Sequence, residues 1–84
     1  MFKRKIGEIM TDRDKKIIAD CEAQGIPMFV LTAKDELSTS IIDLYAQDAE
    51  DAGCTPEFVK GVTERVTEFE EWQAANPTMV KLPD

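Results

Sequence analysis

Apolar and polar positions recur with helical spacing over three stretches of this 84-residue chain. The periodicity predicts helices over residues 12–24, from about 38 to 52, and over 56–75, each with an apolar stripe and a polar opposite side. The apolar positions are Ile17, Ile18 and Cys21 in the first stretch; Ile41, Ile42, Tyr45, Ala49 and Ala52 in the second; and Val59, Val62, Val66 and Phe69 in the third.

Residues typical of helix ends support the predicted bounds of these helices. Thr11 and Thr55 are typical N-caps because a hydroxyl accepts a hydrogen bond from a free amide of the first turn. Pro56 follows Thr55 at the first helical position, where its missing N–H costs nothing. Gly25 and Gly53 are predicted to end the first two helices in the left-handed conformation. The second helix opens at Ser38-Thr39-Ser40, any of which serves as a cap, while Asp35 would start it earlier.

A four-residue apolar run, Met28 to Leu31, follows Pro27 and differs from the helical stretches. Such a run predicts a strand buried on both faces, and a strand needs a partner for its backbone groups. Three arrangements stay open: pairing with the tail at 79–82, pairing with a second subunit, or no strand. The predicted fold is mainly α, with three helices and one or two short strands in a small α+β domain over 11–84. Residues 1–10 are predicted to be a flexible basic segment.

Charge is distributed unevenly along the chain, whose net charge is −7. Residues 1–16 hold six Lys/Arg and three Asp/Glu, whereas residues 17–84 hold four and fourteen. An acidic body repels phosphate backbones, so we expect no direct nucleic-acid binding. Its negative charge suits a protein partner with a basic surface. The alternative is that the charge only keeps the protein in solution. No apolar run approaches the ~20 residues of a membrane span, and no signal-peptide pattern is visible. The expectation is therefore a cytoplasmic protein without membrane contact.

Candidate catalytic chemistry is sparse in this sequence. The chain has no histidine, which removes the commonest general base and the usual nucleophile–histidine dyads. Cys21 and Cys54 lack the spacing of a metal motif and are predicted to be small core residues rather than a disulfide. We predict no catalytic residue, metal or cofactor, and hence no enzyme.

A first candidate site is a protein-binding surface on the second and third helices. It comprises the carboxylates Asp43, Asp48, Glu64, Glu68 and Glu71, with Trp72 as an aromatic anchor. The alternative for the carboxylates is an ordinary solvated face. Trp72, like Tyr45, Phe58 and Phe69, is also interpreted as a core residue at helical spacing.

A second candidate site is the segment between the predicted strand and the second helix. Its residues Thr32, Lys34, Ser38, Thr39 and Ser40 offer hydroxyls, one cation and a helix N-terminus. Such groups bind phosphate, so an oligomer that sequesters a small nucleotide is the alternative function. Asp35 and Glu36 oppose an anion there, and a capped helix with a solvated lysine is the simpler interpretation.

Residues 26–84 resemble small acidic proteins encoded by phages and prophages. The strings that carry the resemblance are IPMFVLTAKDELSTSIIDLYAQDAEDAG, EFEEWQAANP and the terminal KLPD. The resemblance brings no site residues. It implies an inhibitor of host machinery or of host defence, acting by blocking a protein surface, by imitating nucleic acid or by sequestering a signalling nucleotide.

Overall fold

The computed structural model describes residues 11–83, and the protein is mainly helical over that range. Its elements are α1 (Asp12–Gln24), α2 (Ser38–Asp51), α3 (Pro56–Ala75) and a single 3₁₀ turn (Pro77–Met79). Contacts group the described residues into two compact units, which divide between Val30 and Leu31. The prediction of one domain over 11–84 stays a prediction, and the predicted flexible segment 1–10 lies outside the described residues.

The first unit contains α1, whose bounds match the predicted ones. The Thr11 hydroxyl accepts from the Asp14 amide at 3.1 Å, and the Asp14 carboxylate accepts from the Thr11 amide at 3.4 Å. This reciprocal pair is a capping box. Gly25 ends the helix with φ 67°, in the left-handed region that glycine enters without a steric cost. No residue of α1 is buried. The capping residues at its two ends, rather than packing, therefore define this helix.

The second unit is built on α2 and α3, which the four-residue connection 52–55 joins into an antiparallel pair. The Thr55 hydroxyl accepts from the Phe58 amide at 3.2 Å, and α3 spans the predicted residues. Among residues 11–83, the buried apolar side chains are Ala46, Ala49 and Val66. Small side chains on α2 let the helix backbones approach closely, but they leave a core of few atoms.

The start of α2 differs from the prediction of a serine or threonine N-cap. Leu37 occupies the cap position and makes no side-chain cap bond. The Asp35 carboxylate instead accepts from the Leu37 amide at 2.8 Å, which is the Asx-turn geometry. The carbonyl of Asp35 accepts from both the amide and the hydroxyl of Ser38, at 3.0 and 2.7 Å. Asp35 therefore organises the turn without being the helical N-cap.

The predicted strand at Met28–Leu31 is absent. Residues 11–83 contain an isolated β-bridge but no β-strand. The tail does pair with this region of the chain, but at later residues. Lys81 donates its amide to the Lys34 carbonyl at 3.0 Å and accepts from the Glu36 amide at 2.9 Å, as a parallel bridge. Phe29 is 82% exposed, so the apolar run is not buried within this chain.

The side chain of Gln73 positions the segment that the tail pairs with. Its side-chain amide donates to the carbonyls of Ala33 and Asp35, at 3.0 and 3.4 Å, from the last turn of α3. The 3₁₀ turn that follows then returns the chain to the same segment, where Lys81 continues the pairing. The tail therefore meets residues 34–36 because α3 already binds them.

We expect Gln73→Ala to lower the free energy of unfolding of residues 31–83 by about 1–2 kcal/mol, since two carbonyls lose a donor. Urea titration followed by the fluorescence of the single Trp72 and by circular dichroism measures this. Gln47→Ala is the matched control, because the Gln47 amide bonds only the exposed Asp43 carboxylate at 3.1 Å. Equal effects of the two substitutions would contradict the anchoring role.

Candidate functional site

The exposed side of α3 carries three of the predicted carboxylates. Glu64, Glu68 and Glu71 follow each other at spacings of four and three, which places them on one face of the helix. Glu64 and Glu71 are exposed, and Glu68 is half-buried and lies 3.8 Å from the Arg65 guanidinium. Trp72 is half-buried one turn beyond Glu68. We call Glu64, Glu68, Glu71 and Trp72 the acidic face of α3.

The two predicted carboxylates of α2 do not share one face. Asp43 and Asp48 are both exposed, but five residues of helix turn their side chains about 140° apart. Asp43 lines a groove between α2 and α3. Asp48 lies one turn after Leu44 on another side of α2. The structure therefore groups Asp43 with α3 and separates Asp48 from the predicted surface.

The groove between α2 and α3 is an open depression of about 400 Å³ with the buried Val66 in its lining. It brings together residues from both predicted sites and adds Glu70, which the predicted binding residues did not include. The spacing of Thr63, Thr67 and Glu70, at four and three, was the available signal. The lining residues are Thr39, Ser40, Asp43, Thr63, Val66, Thr67 and Glu70.

Three of the four hydroxyls that line this groove donate to backbone carbonyls. Ser40 donates to the Leu37 carbonyl at 3.1 Å, Thr63 to Val59 at 3.0 Å, and Thr67 to Thr63 at 3.4 Å. A hydroxyl whose proton is engaged offers a ligand only its oxygen lone pairs. With the carboxylates of Asp43 and Glu70 alongside, the groove presents mostly acceptors. Its chemistry suits a cationic donor such as a lysine or arginine side chain.

Internal bonds engage part of the predicted anion site at the α2 N-terminus. Ser38 has no exposed surface, and its amide and hydroxyl both donate to Asp35. Thr32 accepts from the Asp35 amide at 3.0 Å through its carbonyl, and the Lys34 carbonyl binds the tail. Thr39 and Ser40 lie in the groove with two carboxylates. Of the five predicted residues, Ser38 therefore has both its amide and its hydroxyl engaged within the chain.

Two core predictions are also corrected. Tyr45 is 55% exposed, although its ring meets Phe58 edge-on with centroids 6.2 Å apart. Cys54 is exposed and Cys21 half-buried, and both thiols are free. Phe58, Phe69 and Trp72 are half-buried rather than enclosed. The small residues of α2 form the contact with α3, so the larger side chains lie at its margins.

Within residues 11–83, no group of three His, Cys, Asp or Glu side chains is arranged to hold a metal ion. No helix in the same range is long and apolar enough to cross a membrane. Comparisons with protein-family models, with curated proteins and with solved structures give no significant match. The arguments for function therefore depend on the surfaces of the chain itself.

Ser38 and Ser40, at the start of α2, provide a matched test of the hydrogen bonds between Ser38 and Asp35. Ser38→Ala should lower the free energy of unfolding by about 1–2 kcal/mol, because it removes a buried 2.7 Å bond to Asp35. Ser40→Ala should change the free energy of unfolding by no more than about 0.5 kcal/mol, since the Ser40 hydroxyl is exposed. Urea denaturation of both variants measures the difference. Equal destabilisation of the Ser40 and Ser38 variants would contradict the stabilising role of the Ser38 hydroxyl.

Proposed function

We propose that this protein is a non-enzymatic acidic module that binds a protein partner through a basic surface of that partner. The observation that supports the proposal most is the acidic face of α3, where Glu64, Glu68 and Glu71 lie on the helix before the half-buried Trp72. Clustered carboxylates steer a basic partner toward the surface. Trp72 supplies the kind of aromatic contact that contributes most to binding energy at interfaces.

The groove between α2 and α3 offers further carboxylates on a neighbouring side of α3, about 100° around the helix from Glu71. Asp43 and Glu70 line it, and Glu70 adjoins Glu71 of the acidic face in sequence. A lysine or arginine of the partner enters the groove, while further basic side chains lie along α3. Asp48, which the sequence placed in the same site, takes no part because it projects from another side of α2.

The class of partner is proposed from the resemblance of residues 26–84 to phage-encoded proteins. We propose that the partner belongs to host machinery or host defence, and that binding in the host cytoplasm inhibits it. Sequestration of a small nucleotide is the less supported function, because the Ser38 amide and hydroxyl at its predicted site are already used within the chain.

The test reverses charge on the acidic face with Glu64→Lys, Glu68→Lys and Glu71→Lys in one chain. Cross-linking to host proteins identifies the partner, and calorimetry with the purified partner at two salt concentrations measures affinity. We expect the triple variant to bind about 10- to 100-fold more weakly than the unmodified chain. Binding of the unmodified chain should also weaken as salt is raised.

The matched control carries Glu22→Lys, Glu36→Lys and Glu50→Lys, three exposed carboxylates outside the acidic face. Both triple variants move the net charge from −7 to −1, since each substitution adds two positive charges. The control should bind within about threefold of the unmodified chain. Equal weakening of both variants would indicate general charge attraction and contradict a specific acidic face.

A further inference from the structure

The last residues of the first unit, 26–30, form an exposed apolar segment after the end of α1. Every one of these five residues is exposed. The exposed fraction is largest at Phe29, with 82%, and at Val30, with 71%. We call residues 26–30 the exposed segment.

The backbone of the exposed segment is as accessible as its side chains. The Ile26 amide donates to the Cys21 carbonyl at 2.9 Å, which is the last bond at the end of α1. Within residues 11–83, no backbone group from Pro27 to Val30 takes part in a hydrogen bond. Backbone without hydrogen bonds or burial separates from the rest of a structure at little cost in free energy. The exposed segment is therefore the part of the described chain that an enzyme can bind most easily.

We propose that the exposed segment is a processing site for an endopeptidase whose specificity pocket takes a large apolar side chain. The scissile bond joins the Phe29 carbonyl carbon to the Val30 nitrogen. Hydrolysis adds water across this bond, so that Phe29 ends in a carboxylate and Val30 begins with a new α-amino group. A peptide bound in an extended conformation is held through its backbone groups. Pro27 lacks an N–H, but Met28, Phe29 and Val30 keep theirs.

Other exposed apolar residues lie in backbone that is already engaged. Tyr45 and Leu44 are 55% and 58% exposed, but both belong to α2. A helix must unwind over several residues before it fits an extended binding site, and that opening costs free energy. The side chain of Phe29 needs no such opening, so side-chain exposure and free backbone coincide at this residue.

Cleavage at this bond leaves the second unit complete. The buried side chains among residues 11–83 are Ser38, Ala46, Ala49 and Val66, and all four follow the cut. Both partners of the 3.0 Å bond from Gln73 to the Ala33 carbonyl also follow it. Residues 30–84 hold four Lys/Arg and twelve Asp/Glu, whereas residues 1–29 hold six and five. The product is therefore a folded acidic unit without the basic N-terminal residues.

Limited proteolysis of the full chain with chymotrypsin tests the site, because the pocket of chymotrypsin is a hydrophobic slot. Mass spectrometry over a time course identifies the first cut within residues 11–83. We expect it after Phe29, at a rate about tenfold or more above that of any cut in α2 or α3. Tyr45 is the internal control, because it is an exposed aromatic residue in a helix. A first cut at Tyr45, or a chain left whole, would overturn the proposal.

Two substitutions test whether the pocket selects Phe29. Phe29→Asp should slow the release of residues 30–84 by about tenfold to 100-fold, because a carboxylate does not fit an apolar pocket. Leu82→Asp makes the same kind of change at another exposed apolar residue, and it should leave the rate within about twofold of the unmodified chain. Equal slowing by both substitutions would contradict recognition of Phe29.

The released fragment tests whether the second unit folds by itself. Urea unfolding of purified residues 30–84 is followed by the fluorescence of Trp72. The midpoint should lie within about 0.3 M of the midpoint of the full chain, because the cut removes none of the buried side chains. A fragment without a cooperative transition would overturn the proposal. These measurements read cleavage and folding, so they do not depend on the proposed partner binding.

Discussion

The second unit depends on the hydrogen bonds that the segment before α2 makes with α3 and the tail. Gln73 binds the Ala33 and Asp35 carbonyls, and Lys81 binds the neighbouring backbone on the other side. Asp35 also receives the amide and hydroxyl of Ser38. Because the core between α2 and α3 is small, these polar contacts make a large contribution to where α2 begins and how the chain end is held.

The same small core explains why so much apolar surface remains available. Ala46 and Ala49 let α2 approach α3 closely, and the larger side chains of both helices are left at the margins or exposed. Close approach of two helices buries little apolar area per residue, so the free energy gained from it is limited. The structural consequence is an exposed apolar stripe on α2, formed by Leu37, Ile41, Leu44 and Tyr45.

The chemistry of the exposed surface differs between the sides of the two helices. The acidic face of α3 and the groove with Asp43 and Glu70 offer carboxylates and hydroxyl lone pairs to a cationic partner. The apolar stripe of α2 carries no charge until Asp48. Two surfaces of different chemistry therefore lie on one helical pair.

Local signals in the sequence determined the helices. The Thr11 capping box, the Thr55 cap with Pro56 and the glycine at position 25 specify α1 and α3 to the residue, since each acts within one turn of backbone. The spacing of Glu64, Glu68 and Glu71 likewise placed them on one face. Tertiary structure decided the rest: pairing of the tail with 34–36, the inward hydroxyl of Ser38, and the separation of Asp43 from Asp48. These depend on contacts such as that of Gln73 with Ala33, 40 residues apart, which no local pattern encodes.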